Sequence, residues 1–153
     1  MLSVAYQDLP GLAGKEIGVS EWITLDQDRV NLFADATEDH QWIHVDVERA
    51  KREMDTGGTI VHGYLTLSLI PKIMYELVEV TETSQLINYG ANKVRFTNMV
   101  PTGSQVRGRI KVADIEQKGP GTSMTYEVTI EIDGQDRPAC IAEVIMMAFP
   151  AEG

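Results

Sequence analysis

The second half of the chain alternates apolar and polar residues with a period of two. The segment SMTYEVTIEID is the clearest case, because its apolar side chains fall on one face and its Thr and Glu side chains on the other. This period predicts a β-strand with one buried face. Three further segments also predict strands: LINYGANKVRFTNMV, SQVRGRIKVADIEQ and PACIAEVIMMAFP. The segments KGPGTS and DGQDRP are rich in turn residues and connect the last three strands.

The first half of the chain contains helical patterns. Residues 26–37 place apolar residues at helical spacing behind Asp26, which is a suitable N-cap. Residues 46–54 have the pattern of a short polar helix capped by Asp46. The segment EIGVSEWITL precedes both helices and mixes small and β-branched residues, which favours an edge strand.

Residues 62–80 are apolar almost all round, which is typical of a helix buried on most sides. Pro71 would remove one backbone hydrogen bond there, so the helix should kink or split. A buried helix followed by antiparallel strands predicts an α+β fold, with a curved antiparallel sheet wrapped over the helix. Residues 1–153 contain no repeat, low-complexity segment or linker, so we interpret them as one domain.

Composition narrows the class of partner. The formal net charge of −10 argues against a nucleic-acid surface, but local donors can still bind an anionic small molecule. The single cysteine, Cys140, lies in an apolar run and is expected to be a buried packing residue in a reducing compartment. The sequence has no evident signal peptide and no apolar run of about 20 residues, so we expect a cytoplasmic protein without a membrane partner.

The stretch DHQWIH, residues 39–44, is the first candidate for chemistry. Asp39 and His44 are five residues apart, so on a continuous helix they would point about 140° away from each other. They can converge only if the helix ends near Thr37 and the chain turns. A converged pair can hold and activate a water molecule. The alternative is structural: Asp39 caps a turn, and His44 is a half-buried histidine with its hydrogen bonds satisfied.

A metal site is a second interpretation of the same window. His40, His44 and His62 lie within 23 residues, and the first two are four apart, a spacing that suits zinc on one helix. However, the sequence has no H-E-x-x-H pattern and no second acidic ligand at a matching distance. We therefore expect no metal.

The segment TIVHGYLTLSL is the second candidate. A glycine at the start of a buried helix, here Gly63, lets a ligand atom approach bare backbone N–H groups. Such groups can stabilise the negative charge that develops on a thioester carbonyl oxygen. Alternatively, Gly63 simply permits close packing of the helix against the sheet.

The stretch FADATEDHQWIHVDVERAKRE, followed by GGTIVHGYLTLSLIPKI, resembles the MaoC-like, (R)-specific enoyl-CoA hydratase family of hot-dog proteins. The resemblance is dense over residues 33–70 and implies the hot-dog fold, in which an antiparallel sheet wraps a long helix. It also implies that Asp39 and His44 are the catalytic pair and that the Gly63 amide polarises the thioester carbonyl. Gln41 and Trp42 stand where most members have Asn-Pro, a variant similar to the NodN-like branch.

The resemblance implies a hydro-lyase that adds water to trans-2-enoyl-CoA and gives (R)-3-hydroxyacyl-CoA, reversibly and without a cofactor. Gln41, Trp42 and Ser68 are candidate substrate-binding residues, although the Ser68 hydroxyl could equally bond back to its own helix. A homodimer is expected, because pairing of two sheets covers an exposed sheet edge. Alternatives are a hot-dog acyl-CoA thioesterase, a dehydratase for acyl-carrier-protein thioesters or branched hydroxyacyl-CoA, and a non-catalytic NodN-like acyl-thioester-binding protein.

Overall fold

The alternating segments form one antiparallel sheet. The computed structural model describes residues 1–152. The sheet has six strands in the order β2-β6-β7-β8-β5, and β3 also pairs with β6. Its strands are β2 (Glu16–Val19), β3 (Ile23–Thr24), β5 (Thr83–Phe96), β6 (Gln105–Lys118), β7 (Gly121–Ile132) and β8 (Cys140–Pro150). In β7 the apolar face that the alternation predicted is buried throughout, from Met124 to Ile132.

The two polar helices begin at the predicted caps. The side chain of Asp26 accepts a hydrogen bond from the backbone N–H of Arg29 at 2.9 Å. Asp46 accepts one from Arg49 in the same way at 3.0 Å. Each bond satisfies one of the free donors of a helix N-terminus. The helices of the chain are α1 (Gln27–Thr37), α2 (Trp42–Val45), α3 (Val47–Glu53), α4 (Gly63–Ser68) and α5 (Ile70–Leu77).

The predicted long helix over residues 62–80 is divided. Pro71 lies in the first turn of α5, where its missing N–H has no intrahelical acceptor to lose, and the break falls at Leu69. The prediction that the proline would kink or split the helix is therefore confirmed. The helical prediction for residues 78–80 is wrong, because the chain turns extended at Val78 and forms β4 (Val78–Thr81).

Strand β4 is explained by a partner that the sequence patterns did not reveal. The N-terminal strand β1 (Leu2–Ala5) pairs with β4 in parallel, and together they make a separate two-stranded sheet. The two valines of β4 favour an extended backbone once this partner is present. A 3-10 helix, Tyr6–Leu12, joins β1 to the rest of the chain. The predicted edge segment EIGVSEWITL is an edge as expected, although it forms two short strands, β2 and β3.

The helix layer packs directly on the sheet. Ile73 of α5 is fully buried, and a Cβ atom added to Gly108 of β6 would lie 2.7 Å from its Cγ2 atom. Glycine at this point of β6 therefore lets α5 approach the strand. Cys140 is fully buried, as predicted, and burial raises the pKa of its thiol to about 11. Among residues 1–152, no helix is both long and apolar enough to cross a membrane.

Candidate active site

A reversal of the chain after α1 places Asp39 near the start of α4. Helix α1 ends at Thr37, and Glu38 adopts a left-handed conformation with φ 61° and ψ 17°. A residue in the left-handed region commonly ends a helix. For a residue other than glycine this conformation costs about 1–3 kcal/mol, so surrounding contacts must hold Glu38 in it. The predicted end of the helix near Thr37, followed by a turn, is confirmed. Asp39 therefore lies beyond the end of α1, and His44 follows it on the separate helix α2.

His44 is buried and anchored from two sides. Its Nδ1 atom lies 2.7 Å from the carbonyl oxygen of Ile60, and 7% of the residue is exposed. Its own carbonyl oxygen accepts a hydrogen bond from the side-chain amide of Gln27 at 2.8 Å. A carbonyl oxygen can only accept a hydrogen bond, so the neutral ring carries its proton on Nδ1. The Nε2 lone pair of His44 is then available as a base.

Burial lowers the pKa of His44 below its ordinary value, and the neighbouring His62 adds to the shift. The hydrogen bond to the Ile60 carbonyl and the charge of Asp39 both oppose it. Desolvation is the largest of these effects, so the net direction is downward. His44 is therefore mainly neutral near pH 7, the protonation state that a general base requires.

Asp39, His44 and His62 form a cluster. One carboxylate oxygen of Asp39 and one ring nitrogen from each histidine all lie within 4.8 Å of one another. A water molecule that makes two hydrogen bonds of about 2.8 Å each can bridge atoms at such a separation. The Asp39 side chain is 52% exposed, whereas that of His62 is 2% exposed. The cluster thus joins a solvated carboxylate to two buried imidazoles.

The arrangement of the two rings bears on the metal interpretation. His44 and His62 are stacked, with ring centroids 3.8 Å apart and an interplanar angle of 22°. A metal ion lies in the plane of each imidazole that binds it, about 2.0–2.1 Å from the nitrogen. The two ring planes are nearly parallel and the rings lie 3.8 Å apart, so the planes do not meet within metal–nitrogen bonding distance of both rings. The stack therefore opposes shared coordination of one ion by His44 and His62.

Gly63 and His44 border the same cavity. The cavity has a volume of about 400 Å³, and the loop residues Thr97 and Asn98 form part of its wall. Gly63 is the first residue of α4, and the first amide of this helix with an intrahelical acceptor is that of Thr66, which donates to His62 O at 3.2 Å. The Gly63 N–H precedes it, among the helix donors that lack an intrahelical partner.

Phe96 packs against Gly63. A Cβ atom added to this glycine would lie 2.9 Å from Cγ of the Phe96 ring. Phe96 also contacts Tyr64 edge to face, with ring centroids 5.7 Å apart. The close approach means that the packing interpretation of Gly63 and the oxyanion interpretation are compatible with each other.

Three predicted substrate-binding residues lie outside the wall of this cavity. Gln41 is exposed, and its backbone N–H is 3.4 Å from Oδ1 of Asp39. The ring of Trp42 is covered by the guanidinium of Arg49, whose Cζ atom is 4.0 Å from the ring centroid. The Ser68 hydroxyl donates to the Tyr64 carbonyl oxygen at 2.6 Å, and Ser68 borders a different hollow beside β5. Their role in substrate binding stays a prediction.

Sequence patterns did not single out several residues of the site. Phe96 comes from the end of β5, and Arg137 borders the cavity from the turn before β8. Neither belongs to a motif, and only strand pairing brings these segments to Gly63. The sequence pattern suggests His62 only as a candidate metal ligand. Its place directly before Gly63 nevertheless signals a position at the start of α4.

A protein-family model described as "MaoC like domain" matches residues 8–134 of the chain. The chain belongs to the MaoC-like domain family. Among curated relatives, 3-hydroxyacyl-thioester dehydratase Z of Mycobacterium tuberculosis is 48% identical over 140 residues, which cover 91% of this chain and 92% of the relative. Nodulation protein N of Rhizobium leguminosarum bv. viciae is 46% identical over 147 residues, which cover 95% and 91%.

Solved structures agree with the MaoC-like assignment. The (R)-hydratase from A. caviae has a TM-score of 0.71 at 22% identity, covering 88% of this chain and 94% of that one. The monoamine oxidase regulatory protein from Archaeoglobus fulgius has a TM-score of 0.73 at 20% identity, covering 92% of both chains. At these identities the likeness shows the fold. The predicted hot-dog fold and MaoC-like membership are confirmed, and with them the assignment to an enzyme family of dehydratases.

The exposed His40 and the buried His44 of the DHQWIH stretch should have pKa values that are shifted in opposite directions. A hydrogen bond to Asp35 raises the pKa of His40 above its ordinary value of 6.5, whereas burial lowers that of His44 below it. At pH 6.5 His40 should therefore be mainly protonated and His44 mainly neutral. Nuclear magnetic resonance titration of the imidazole Cε1–H signals measures both, with His40→Gln and His44→Gln for assignment. The reverse order would contradict the burial of His44.

Proposed function

We propose that this MaoC-like protein reversibly adds water across the α,β double bond of a trans-2-enoyl thioester and forms the (R)-3-hydroxyacyl thioester. The observation that carries the proposal is the orientation of His44. Its Nδ1–H is engaged by the Ile60 carbonyl, which leaves Nε2 as a base beside the Asp39 carboxylate. His44 also borders the cavity that contains Gly63. A pair of groups that can remove and return a proton, together with a bare backbone donor, is what this reaction needs.

In the proposed reaction, Asp39 and His44 hold one water molecule between them. The pair removes a proton from this water as its oxygen bonds to C3 of the substrate. The electron pair of the double bond shifts toward C2 and the carbonyl oxygen, which gives an enolate-like species. The pair then returns a proton to C2, so the net change is the addition of H and OH. Dehydration follows the same steps in reverse.

The N–H of Gly63 would stabilise the negative charge on the thioester oxygen. Support comes from its place at the open start of α4 and on the wall that it shares with His44. A donor placed where charge develops acts only in the transition state and so raises the rate. The chemistry proposed here needs no metal, nucleotide or flavin.

An acyl thioester is the substrate class that the relatives support. The Mycobacterium tuberculosis relative, at 48% identity, is named a 3-hydroxyacyl-thioester dehydratase. We propose that the acyl group is carried by CoA or an acyl carrier protein and reaches the cavity beside His44 and Gly63. Gln41 would steady the catalytic turn, since its backbone N–H points to Asp39. Trp42 and Ser68 would act further along the acyl chain.

The catalytic pair is tested by Asp39→Asn and His44→Ala. Each should lower kcat by about 10²- to 10⁴-fold, the usual contribution of general acid–base catalysis, with unchanged circular dichroism. The measurement is the loss of enoyl absorbance over a panel of trans-2-enoyl-CoAs of increasing length, with a chelator present. His40→Ala is the matched control, because His40 is a neighbouring exposed histidine paired with Asp35, and it should keep wild-type turnover.

Three results would contradict the proposed reaction. Wild-type turnover by either variant of the pair would remove Asp39 or His44 from the mechanism. Release of free CoA by the wild-type protein, followed with a thiol reagent and unaccompanied by hydration, would identify a thioesterase instead. Activity that disappears under the chelator and returns with a metal would overturn the metal-free reaction.

Gly63 is tested in a background where its neighbour has been trimmed. Phe96→Ala removes the ring that a new Cβ would strike, so Gly63→Val can be compared with Phe96→Ala alone. We expect kcat per folded site to fall by about 10²- to 10³-fold in the double variant, because the new side chain crowds the acyl group and keeps the thioester oxygen away from the Gly63 N–H. This is the scale for loss of one oxyanion donor. Gly63→Ala in the same background should cost less. If the rate merely follows the folded fraction, Gly63 serves packing alone.

We also propose a homodimer in which β5 pairs with its copy. Within residues 1–152, β5 pairs with β8 on one side, and its other side is a sheet edge fourteen residues long. Ile87 and Tyr89 on this strand are 42% and 60% exposed. A long edge strand with exposed apolar side chains favours pairing with another chain.

Sedimentation tests the dimer. The wild-type protein should sediment as a dimer at micromolar concentration, and Ile87→Lys with Tyr89→Lys should shift it toward the monomer. Leu32→Lys is the matched control, because Leu32 is 69% exposed on α1 rather than on β5. A wild-type monomer with full activity would refute the proposed assembly.

A further inference from the structure

His62 is a buried titratable group to which the proposed reaction assigns no step. It is 2% exposed and lies between two rings. The Phe33 ring is tilted against it with centroids 5.0 Å apart, and the His44 ring is stacked on it at 3.8 Å. A side chain that served packing alone would be an apolar residue here, since burial of an imidazole is costly unless its polar atoms are paired.

One nitrogen of His62 has a defined partner. Its Nε2 atom lies 3.0 Å from the backbone carbonyl oxygen of Asp39. The carbonyl can only accept, so Nε2 carries the proton and donates. The other nitrogen, Nδ1, is buried and has no hydrogen-bond partner within the described residues. A proton on Nδ1 would find no acceptor there, so the geometry favours the neutral Nε2–H tautomer.

This hydrogen bond joins Asp39 to the residue before α4, whereas the other hydrogen bonds of residues 39–41 stay within residues 35–44. The carboxylate of Asp39 has one weak contact with its own turn, to the backbone N–H of Gln41 at 3.4 Å. The residue before it, Glu38, is held in a left-handed conformation at φ 61°. The donor from His62 holds the main chain of Asp39 immediately after this strained residue. The position of the carboxylate follows from the position of that main chain.

We propose that His62 is a positioning residue: its Nε2–H holds the main chain of Asp39 while its ring face holds the imidazole of His44, so that the two groups stay close enough to share one water molecule. The inference rests on the proposed hydration reaction. A misplacement of about 1 Å in a reacting group can cost about 10²-fold in rate. Histidine suits the position because it combines a flat ring with a donor at its far edge.

Two variants of His62 separate the ring from the donor. His62→Phe keeps a ring to stack on His44 but cannot bond to Asp39. His62→Gln keeps a donor near the place of Nε2 but loses the ring. We expect kcat per folded site to fall about 10- to 100-fold in His62→Phe, with KM changed by less than about two-fold. His62→Gln should recover part of this loss. Ile110→Val, a buried substitution in β6, is the control for lost stability and should leave the rate per folded site unchanged.

Long-range proton–nitrogen correlation spectra provide a readout independent of activity. The wild-type protein should show His62 as the Nε2–H tautomer and His44 as the Nδ1–H tautomer at neutral pH. In His62→Phe the backbone amide signals around Asp39 should shift more than in Ile110→Val. If the wild type hydrates no enoyl thioester, the proposed function fails, and these spectra still decide whether His62 holds the turn.

Three outcomes would overturn the inference. One is wild-type kcat per folded site in His62→Phe. Another is a wild-type spectrum in which His62 is protonated on Nδ1. The third is a stoichiometric metal in the wild-type protein that is lost in both His62 variants, because His62 would then be a ligand.

Discussion

The hydrogen bond from His44 Nδ1 to the Ile60 carbonyl oxygen, 2.7 Å long, is the contact on which the site depends. It sets the tautomer of His44, so that the proton is on Nδ1 and the Nε2 lone pair is available. It also connects the DHQWIH turn to the segment that enters α4, whose first residue is Gly63. Ile60 is tied back by its own N–H, which donates to Ile43 O at 3.0 Å. These hydrogen bonds therefore join the DHQWIH turn to the segment that leads into α4.

Burial of the two stacked histidines, His44 and His62, has one consequence for a pKa and one for stability. It withdraws His44 from water, which lowers the pKa of the imidazole and keeps the ring neutral near pH 7. Burial of the His62 ring, which is stacked on His44, leaves its Nδ1 atom without a hydrogen-bond partner in the described residues, at a cost of the order of 1–3 kcal/mol. The left-handed backbone of Glu38 adds a further local cost beside the same cluster.

The sheet provides the rigid support for the turn and for the segment that leads into α4. Packing of Ile73 into the space above Gly108 seats α5 on β6. The same close approach recurs at the start of α4, where the ring of Phe96 from β5 lies over Gly63. These contacts define the distance between the helix layer and the sheet. The cavity beside His44 is bordered by the start of α4 and by the loop after β5, and Arg137 from the turn before β8 completes its wall.

The sequence by itself determined the features that depend on near neighbours. Alternation identified β7, and the two aspartate caps placed α1 and α3 because an N-cap acts within three residues. A motif over residues 33–70 identified the family and predicted Asp39, His44 and Gly63 as site residues.

Tertiary structure alone decided the features that depend on distant partners. Residues 78–80 read as helix by apolar content but are extended, because β1 pairs with them from the other end of the chain. Phe96 and Arg137 reach the cavity, and His62 reaches Asp39, through strand pairing and chain reversal. Hydrophobic periodicity reports which face is buried, but it carries no information about which distant segment will cover that face.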